Sequence, residues 1–456
     1  MLCRSILCLL FILSTSASIA AKPPEVASWQ AGVAKTIITP KDFMWMSGYG
    51  SRTKPAEGKV TELWAKALAL QTPDGKRCVL VTMDLCGIDQ NISLHVCERI
   101  CKRNELPRSA IMLNVSHTHC GPVVGKNLRA MYFLDEKQTK LVDTYTKELE
   151  VKLVQVAEEA LKNVKPATLA SGTGLVTFAT NRRTNKEKEV PQLRDKGLLK
   201  GPVDHEVPVL TVRDNAGKVI AIAFGYSCHA TVMDFYNWSG DYPGYAQIEL
   251  EKRYPGAVAL FWQGCGGDQN PLPRRKNELA EEYGKQLAAG VDAVIKAPMK
   301  DVKPMLKTAY TEIELPLADL PSREDLVKDS MAKDKYIANR AKNLLKQLGD
   351  KGSLRQTYPY PVQTWQLGDN VTWIALGGEV VVDYALRLKK ELGAVWVAGY
   401  SNDVMAYIPS LKVLKEGGYE GGGAMVYYGL PAVWAPRVEE MIVDAVHGQV
   451  KTVRAK

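Results

Sequence analysis

The sequence predicts an α/β fold: mixed, largely helix-covered sheets in a single large domain, with the functional site at strand ends. Three observations predict it. Apolar runs such as Cys78–Met83 are continuous rather than alternating, which fits strands covered on both faces. Amphipathic stretches of helical period alternate with them, as at Leu141, Tyr145, Leu149, Leu153, Val156 and Ala160. No internal repeat or low-complexity linker divides the 456 residues.

The elements follow in chain order. Residues 1–21 read as a cleavable secretory signal. Arg4 supplies the positive start, Ile6 to Leu13 is an apolar run too short to span a bilayer, and Ser18-Ile19-Ala20 is a small-x-small cleavage site. Leu7 before Cys8 is a poor match to a lipid-anchoring cysteine, so the expectation is an exported protein, secreted or periplasmic, with residues 22–456 as its one mature domain. From Val33 to Asp84 the pattern is β-like, with strands over Leu63–Gln71 and Cys78–Met83. A helix over Ile92–Asn104, a strand over Ala110–Val115 and a long helix over Glu136–Asn163 come next. Val207–Val212 and Val219–Tyr226 read as a strand pair across the turn Asp214-Asn215-Ala216-Gly217. A helix over Tyr242–Tyr254, a strand over Ala257–Trp262 and a helix over Glu278–Ile295 continue the alternation, and the charge-rich stretch Ser322–Leu348 reads as one surface helix. Strands over Val371–Leu376 and Val395–Gly399 flank a helix over Val381–Leu392, and a last helix is expected over Val433–Val446.

Composition narrows the class. With 46% hydrophobic and 24% charged residues, disorder, collagen, coiled coil and a multi-span membrane protein are excluded. The net charge of +9 is spread out with no basic block, which argues against a nucleic-acid partner. The seven cysteines beyond the leader form no C-x-x-C pair, so a cysteine-based zinc site is not expected; their odd number leaves at least one free thiol. Cys97 and Cys101, four apart on a helix, either line one face or pair elsewhere.

The histidines are few and stand where strands end. His117 and His119 follow the strand over Ala110–Val115, and His229 follows Val219–Tyr226. The strand over Ala257–Trp262 runs into the glycine-rich loop Gly264-Cys265-Gly266-Gly267-Asp268, and Val371–Leu376 runs into Gly377-Gly378-Glu379. Carboxyl ends of strands are where open α/β sheets carry ligands and catalytic groups. Two histidines and a carboxylate are a common set for a catalytic zinc with an open position, and two imidazoles two residues apart on an extended segment face the same pocket. Satisfied loop histidines without a metal are the other reading. His95, His205 and His447 lack such neighbours and read as ordinary, while Asp84 is either a support for a ligand or a turn residue.

At these residues the chain resembles the catalytic domain of the neutral/alkaline non-lysosomal ceramidase family. The resemblance runs from about Gly32 to Gly429, through Ala31-Gly32-Val33-Ala34-Lys35-Thr36-Ile37-Ile38-Thr39-Pro40, Met46-Ser47-Gly48-Tyr49 and, most specifically, Asn114-Val115-Ser116-His117-Thr118-His119-Cys120-Gly121-Pro122. It implies zinc (Zn2+) held by His117, His229, Glu379 and Tyr407, the last in Ser401-Asn402-Asp403-Val404-Met405-Ala406-Tyr407-Ile408. It implies proton transfer by His119, with Arg182 of Asn181-Arg182 and Tyr419 of Tyr419-Glu420 near the scissile carbonyl. Two departures stand out. Asn270 occupies the position of the family's serine, where an amide cannot be a nucleophile but can donate to an oxyanion. No counterpart of the family's C-terminal immunoglobulin-like domain is expected within these 456 residues.

The expected function is therefore an exported zinc-dependent amidohydrolase cleaving a small-molecule or lipid N-acyl substrate with metal-activated water. The alternatives are an esterase or deacetylase on a non-lipid substrate and a non-catalytic metal-binding homologue. The stretches Phe43-Met44-Trp45-Met46 and Met131-Tyr132-Phe133-Leu134 are candidates for contact with an acyl chain or a membrane face, against buried core as the plainer fate.

Overall fold

The computed structural model describes residues 28–455, so the secretory-signal expectation lies outside the described residues. The fold is mixed α/β. A large sheet runs in the order Val258–Gln263, Val219–Tyr226, Glu206–Asp214, Lys165–Leu175, Trp29–Ile37, Trp64–Gln71, Arg77–Met83, Ile111–Val115. Its two ends are parallel pairs, Val258–Gln263 with Val219–Tyr226 and Ile111–Val115 with Arg77–Met83, and the strands between them are antiparallel. The run Cys78–Met83 is buried along its whole length, as a strand with helices on one side and core on the other must be. Helix Glu136–Lys162 lies against Trp29–Ile37 and Trp64–Gln71, with Gln90–Asn104 packed on it; helices Asp241–Arg253 and Asn277–Lys296 pack on each other and cover the sheet's other end.

A second sheet has the order Leu306–Pro316, Thr357–Leu367, Val371–Leu376, Val395–Ala398 and carries the helices Val382–Leu392 and Val438–Arg454. One buried cluster spans the large sheet and one face of the small sheet, including Trp365, Trp373 and Trp396; the small sheet's other face, with Tyr360, Val362 and Ile374, has a second cluster under its helices. The sheets meet where three strands end. Asn114, at the end of Ile111–Val115, accepts a hydrogen bond from the Gln263 amide at 2.8 Å through its side-chain oxygen and donates to the Gly399 carbonyl at 2.8 Å. One side chain thereby ties both edges of the large sheet to the small one.

Several boundaries differ from the sequence reading. Ser322–Leu348 is two helices, Arg323–Asp329 and Lys335–Lys351, because Asp334 caps the second from outside by accepting from the amides of Tyr336 and Ile337. The last helix starts at Val438, after Pro436, since Trp434 pairs with Leu317 at the sheet edge instead. The strands Lys165–Leu175, Leu306–Pro316 and Thr357–Leu367 carry weak apolar patterns, Leu306–Pro316 being half-exposed, and pass unnoticed in the sequence. Among the described residues none of the seven cysteines is paired, Cys97 and Cys101 included. No described helix is long and apolar enough to cross a membrane.

Candidate metal centre

The loops at these strand ends bring His117, His119, His229, Glu379, Tyr407 and Arg182 together. His117 does not lie on an extended segment: its φ is +59°, a left-handed turn that few non-glycine residues adopt. That turn, rather than the alternation of a strand, brings the two imidazoles together, with His119 Nε2 3.0 Å from His117 Nε2. His229 enters from the end of Val219–Tyr226, its amide tied to the Gln269 carbonyl at 3.0 Å. Glu379 and Tyr407 face each other across a short parallel pair, Glu379–Val380 with Tyr407–Ile408, whose register places the two residues side by side.

The donor atoms converge. His117 Nε2 and His229 Nε2 lie 3.1 and 3.0 Å from Glu379 Oε2, and the Tyr407 hydroxyl is 3.2 Å from His229 Nε2. All four side chains are buried. The far nitrogens decide the tautomers. His117 Nδ1 is 2.6 Å from the Cys86 carbonyl and His229 Nδ1 is 2.6 Å from the Gly266 carbonyl; a carbonyl only accepts, so each Nδ1 carries a hydrogen. In the neutral rings both Nε2 lone pairs then point at one carboxylate oxygen, a repulsive arrangement that a cation between them turns into attraction. Backbone carbonyls that orient ligating histidines in this way are characteristic of metal sites. His117, His229 and Glu379 are thus a donor set that fits a divalent metal, and Cys86, His117 and His119 form a second close group beside it.

Without a cation, a proton on one ring takes its place. Burial by itself lowers the His117 imidazole, but facing Glu379 and Cys86 outweighs it and raises the pKa to about 10. His229 is lowered to about 4 by burial and by the Arg182 charge, so the protein alone meets the Glu379 charge with one proton, at His117. His119 is held well below its ordinary value by burial and by the other two histidines, and stays neutral.

Around the donors, Tyr428 donates to Glu379 Oε1 and the Tyr400 hydroxyl lies 3.4 Å from Glu379 Oε2. Arg182 follows the strand Ala179–Asn181, which pairs with Gln269–Pro271, and this ladder sets Arg182 beside Asn270. Its Nη2 donates to the Tyr407 hydroxyl at 3.0 Å and its Nη1 to Asn270 Oδ1 at 3.2 Å. The Tyr419 ring sits 5.3 Å from that of Tyr407 and is 43% exposed, so it stands at the mouth.

Every residue the sequence singled out for the site is thus in one cluster. Asp84 is not: its carboxylate accepts from the Trp64 amide at 3.0 Å and from Gln247 at 3.3 Å, as a strand-end turn residue. His95, His205 and His447 bond to Glu150, the Ala179 carbonyl and Glu391, away from the centre. Sequence reasoning missed Cys86, Tyr400, Tyr428 and the supporting role of Asn114; Tyr400, directly before Ser401-Asn402, and Asn114, which opens the motif around His117 and His119, carried a positional hint.

A family model described as neutral/alkaline non-lysosomal ceramidase, N-terminal, matches residues 29–309. The chain belongs to this family. Neutral ceramidase B of Dictyostelium discoideum is 28% identical over 245 residues, covering 50% of this chain and 33% of its own length. Neutral ceramidase 1 of Arabidopsis thaliana is 26% identical over 248 residues, 52% of this chain and 31% of its own. These alignments span about a third of the relatives' length. The crystal structure of neutral ceramidase from Pseudomonas aeruginosa superposes with a TM-score of 0.73 over 94% of this chain and 75% of that one at 20% identity, a likeness of fold. The ceramidase-family fold thus extends over the second sheet, beyond the residues that the family model matches.

Proposed function

We propose that the chain is an exported zinc-dependent amidohydrolase acting on an N-acyl substrate of ceramide type or a smaller N-acyl compound, with residues 22–456 as its catalytic domain. The observation that carries this reading is the meeting of two Nε2 atoms, each locked by a carbonyl on Nδ1, with one buried carboxylate oxygen at 3.0 and 3.1 Å. His117, His229 and Glu379 would hold the zinc, with Tyr407 as the fourth donor. Bound there, zinc would supply Lewis acidity and a nucleophile at neutral pH, which an amide otherwise lacks in water.

The chain's own residues do the rest. The Nδ1 of His119 is buried with no hydrogen-bond partner, which leaves that ring nitrogen open to carry a proton to the leaving nitrogen. Arg182 presents a guanidinium whose charge Tyr407 and Glu420 sustain against burial, and together with Tyr419 it steadies the oxyanion. Asn270 spends its oxygen on Arg182, which leaves its amide N–H groups to face the same carbonyl. The names of the relatives motivate the N-acyl lipid, and Phe133, 47% exposed, together with Phe43 is a candidate for its acyl chain or for a membrane face.

The experiment is a metal analysis joined to a panel of N-acyl amino alcohols, N-acyl amino acids and acyl esters. One zinc per chain with amide cleavage is expected. His117→Ala should lose metal and activity together, whereas His119→Ala should keep the metal and lose about 10²–10⁴-fold in turnover. Ester cleavage alone would indicate an esterase, and one tightly bound zinc with no cleavage a metal-binding homologue; either overturns the amidase reading.

A further inference from the structure

Glu420 touches no metal donor; in the proposed chemistry it only sustains the Arg182 charge. It is nevertheless a buried carboxylate, 5% exposed, placed between two arginines. Its Oε1 accepts from Arg182 Nε at 2.7 Å and its Oε2 from Arg183 Nη1 at 2.7 Å. Arg183 is anchored in turn by Glu416 at 3.0 Å and by the Gly417 carbonyl at 3.1 Å. The loop allows this because Gly417 and Gly418 take φ of +67° and +76°, which turns the chain sharply enough for neighbouring residues to diverge. Tyr419 faces the mouth while Glu420 faces inward.

The three sides of the Arg182 guanidinium are then assigned: Nε to Glu420, Nη1 to Asn270 and Nη2 to Tyr407. A planar fork held at its Nε edge cannot rotate about its long axis, so the carboxylate sets where both Nη groups lie. We propose that Glu420 is a positioning residue for the zinc site: by gripping Arg182 it fixes the Tyr407 hydroxyl beside His229. The proposal rests on the hydrolase reading for its consequence in turnover, but not for its consequence in metal binding.

The test is zinc affinity, measured by chelator competition on the full chain, in the wild type, Glu420→Gln, Tyr407→Phe and the double variant. Glu420→Gln should weaken zinc by about 10–100-fold, the range seen when groups orienting a ligand are removed. Because its effect runs through Tyr407, the double variant should bind no more weakly than Tyr407→Phe alone. Wild-type affinity in Glu420→Gln, or losses that multiply in the double variant as for an ordinary structural defect, would overturn the proposal. Glu420→Asp, which keeps the charge but is shorter by one methylene, replaces Glu420→Gln in the cycle if that variant does not fold, with a smaller loss expected and the same two outcomes decisive. A wild type that binds zinc with this coupling yet cleaves no amide leaves the positioning role intact and removes the hydrolase reading. Amide cleavage without the coupling does the reverse.

Discussion

Single side chains in this protein are placed by backbone carbonyls and buried charges more than by their neighbours in sequence. The left-handed turn at His117 aims its Nε2 at Glu379, and the Cys86 carbonyl holds it there. Asp403 shows the same economy away from the centre. It is buried, accepts from the Tyr358 hydroxyl at 2.7 Å, and burial lifts its pKa from 3.8 to about 8. The native chain therefore keeps a proton that the unfolded chain releases, and stability should fall as pH rises from about 4 to about 8. Asp403→Asn cannot ionise. Denaturant unfolding of both proteins at pH 5 and pH 8 should show the wild type losing at least about 1 kcal/mol relative to the variant at the higher pH. An unchanged difference would refute the shift.

At the scale of elements, the loops matter through how closely they approach. Gly48 lies over the His119 ring with φ +99°, and a Cβ there would come within 2.3 Å of His119 Cγ. Its amide donates to the Tyr132 hydroxyl at 2.7 Å, which fixes the loop in that place. Gly48→Ala must push the imidazole or the loop aside. Turnover should drop by about 100-fold, the cost of misplacing a catalytic group by an ångström, while zinc content stays at one per chain. Loss of zinc in this variant would show that the loop supports the metal donors as well.

Across the whole molecule, the candidate centre lies where two sheets meet, beside a core that both share through Trp365, Trp373 and Trp396. His117 and His229 come from strand ends of the large sheet, Glu379 and Tyr407 from the short parallel pair that follows strands of the small one. An ion gripped by all four would tie the sheets together and stabilise the native state alone. At a free zinc concentration of about 100 times Kd the gain should be about 2.7 kcal/mol, so a chelator should lower the melting temperature by several degrees. His117→Ala should melt at one temperature with or without zinc, and a zinc-dependent shift in that variant would mean that the ion binds elsewhere.

The α/β class and most strands and helices were legible in the sequence because each depends on local information; of the candidate site residues, His117, His119, His229 and Glu379 stood out at strand ends, whereas Arg182, Asn270, Tyr407 and Tyr419 came from the family resemblance. Period, burial of apolar runs and the motif around His117 and His119 all lie within short stretches. The strands Leu306–Pro316 and Thr357–Leu367 were not, since their stability comes from pairing with each other along eleven residues rather than from their own pattern. Nor was the support for the site. Tyr428 beside Glu379, Asn114 across three strand ends and Glu420 between two arginines join residues up to more than two hundred positions apart. The sequence alone determined the fold class, the strand-end histidines and the motif that carries the family resemblance. Only the tertiary structure decided which side chains share a buried space, because hydrogen-bond geometry and desolvation depend on distance through space and not along the chain.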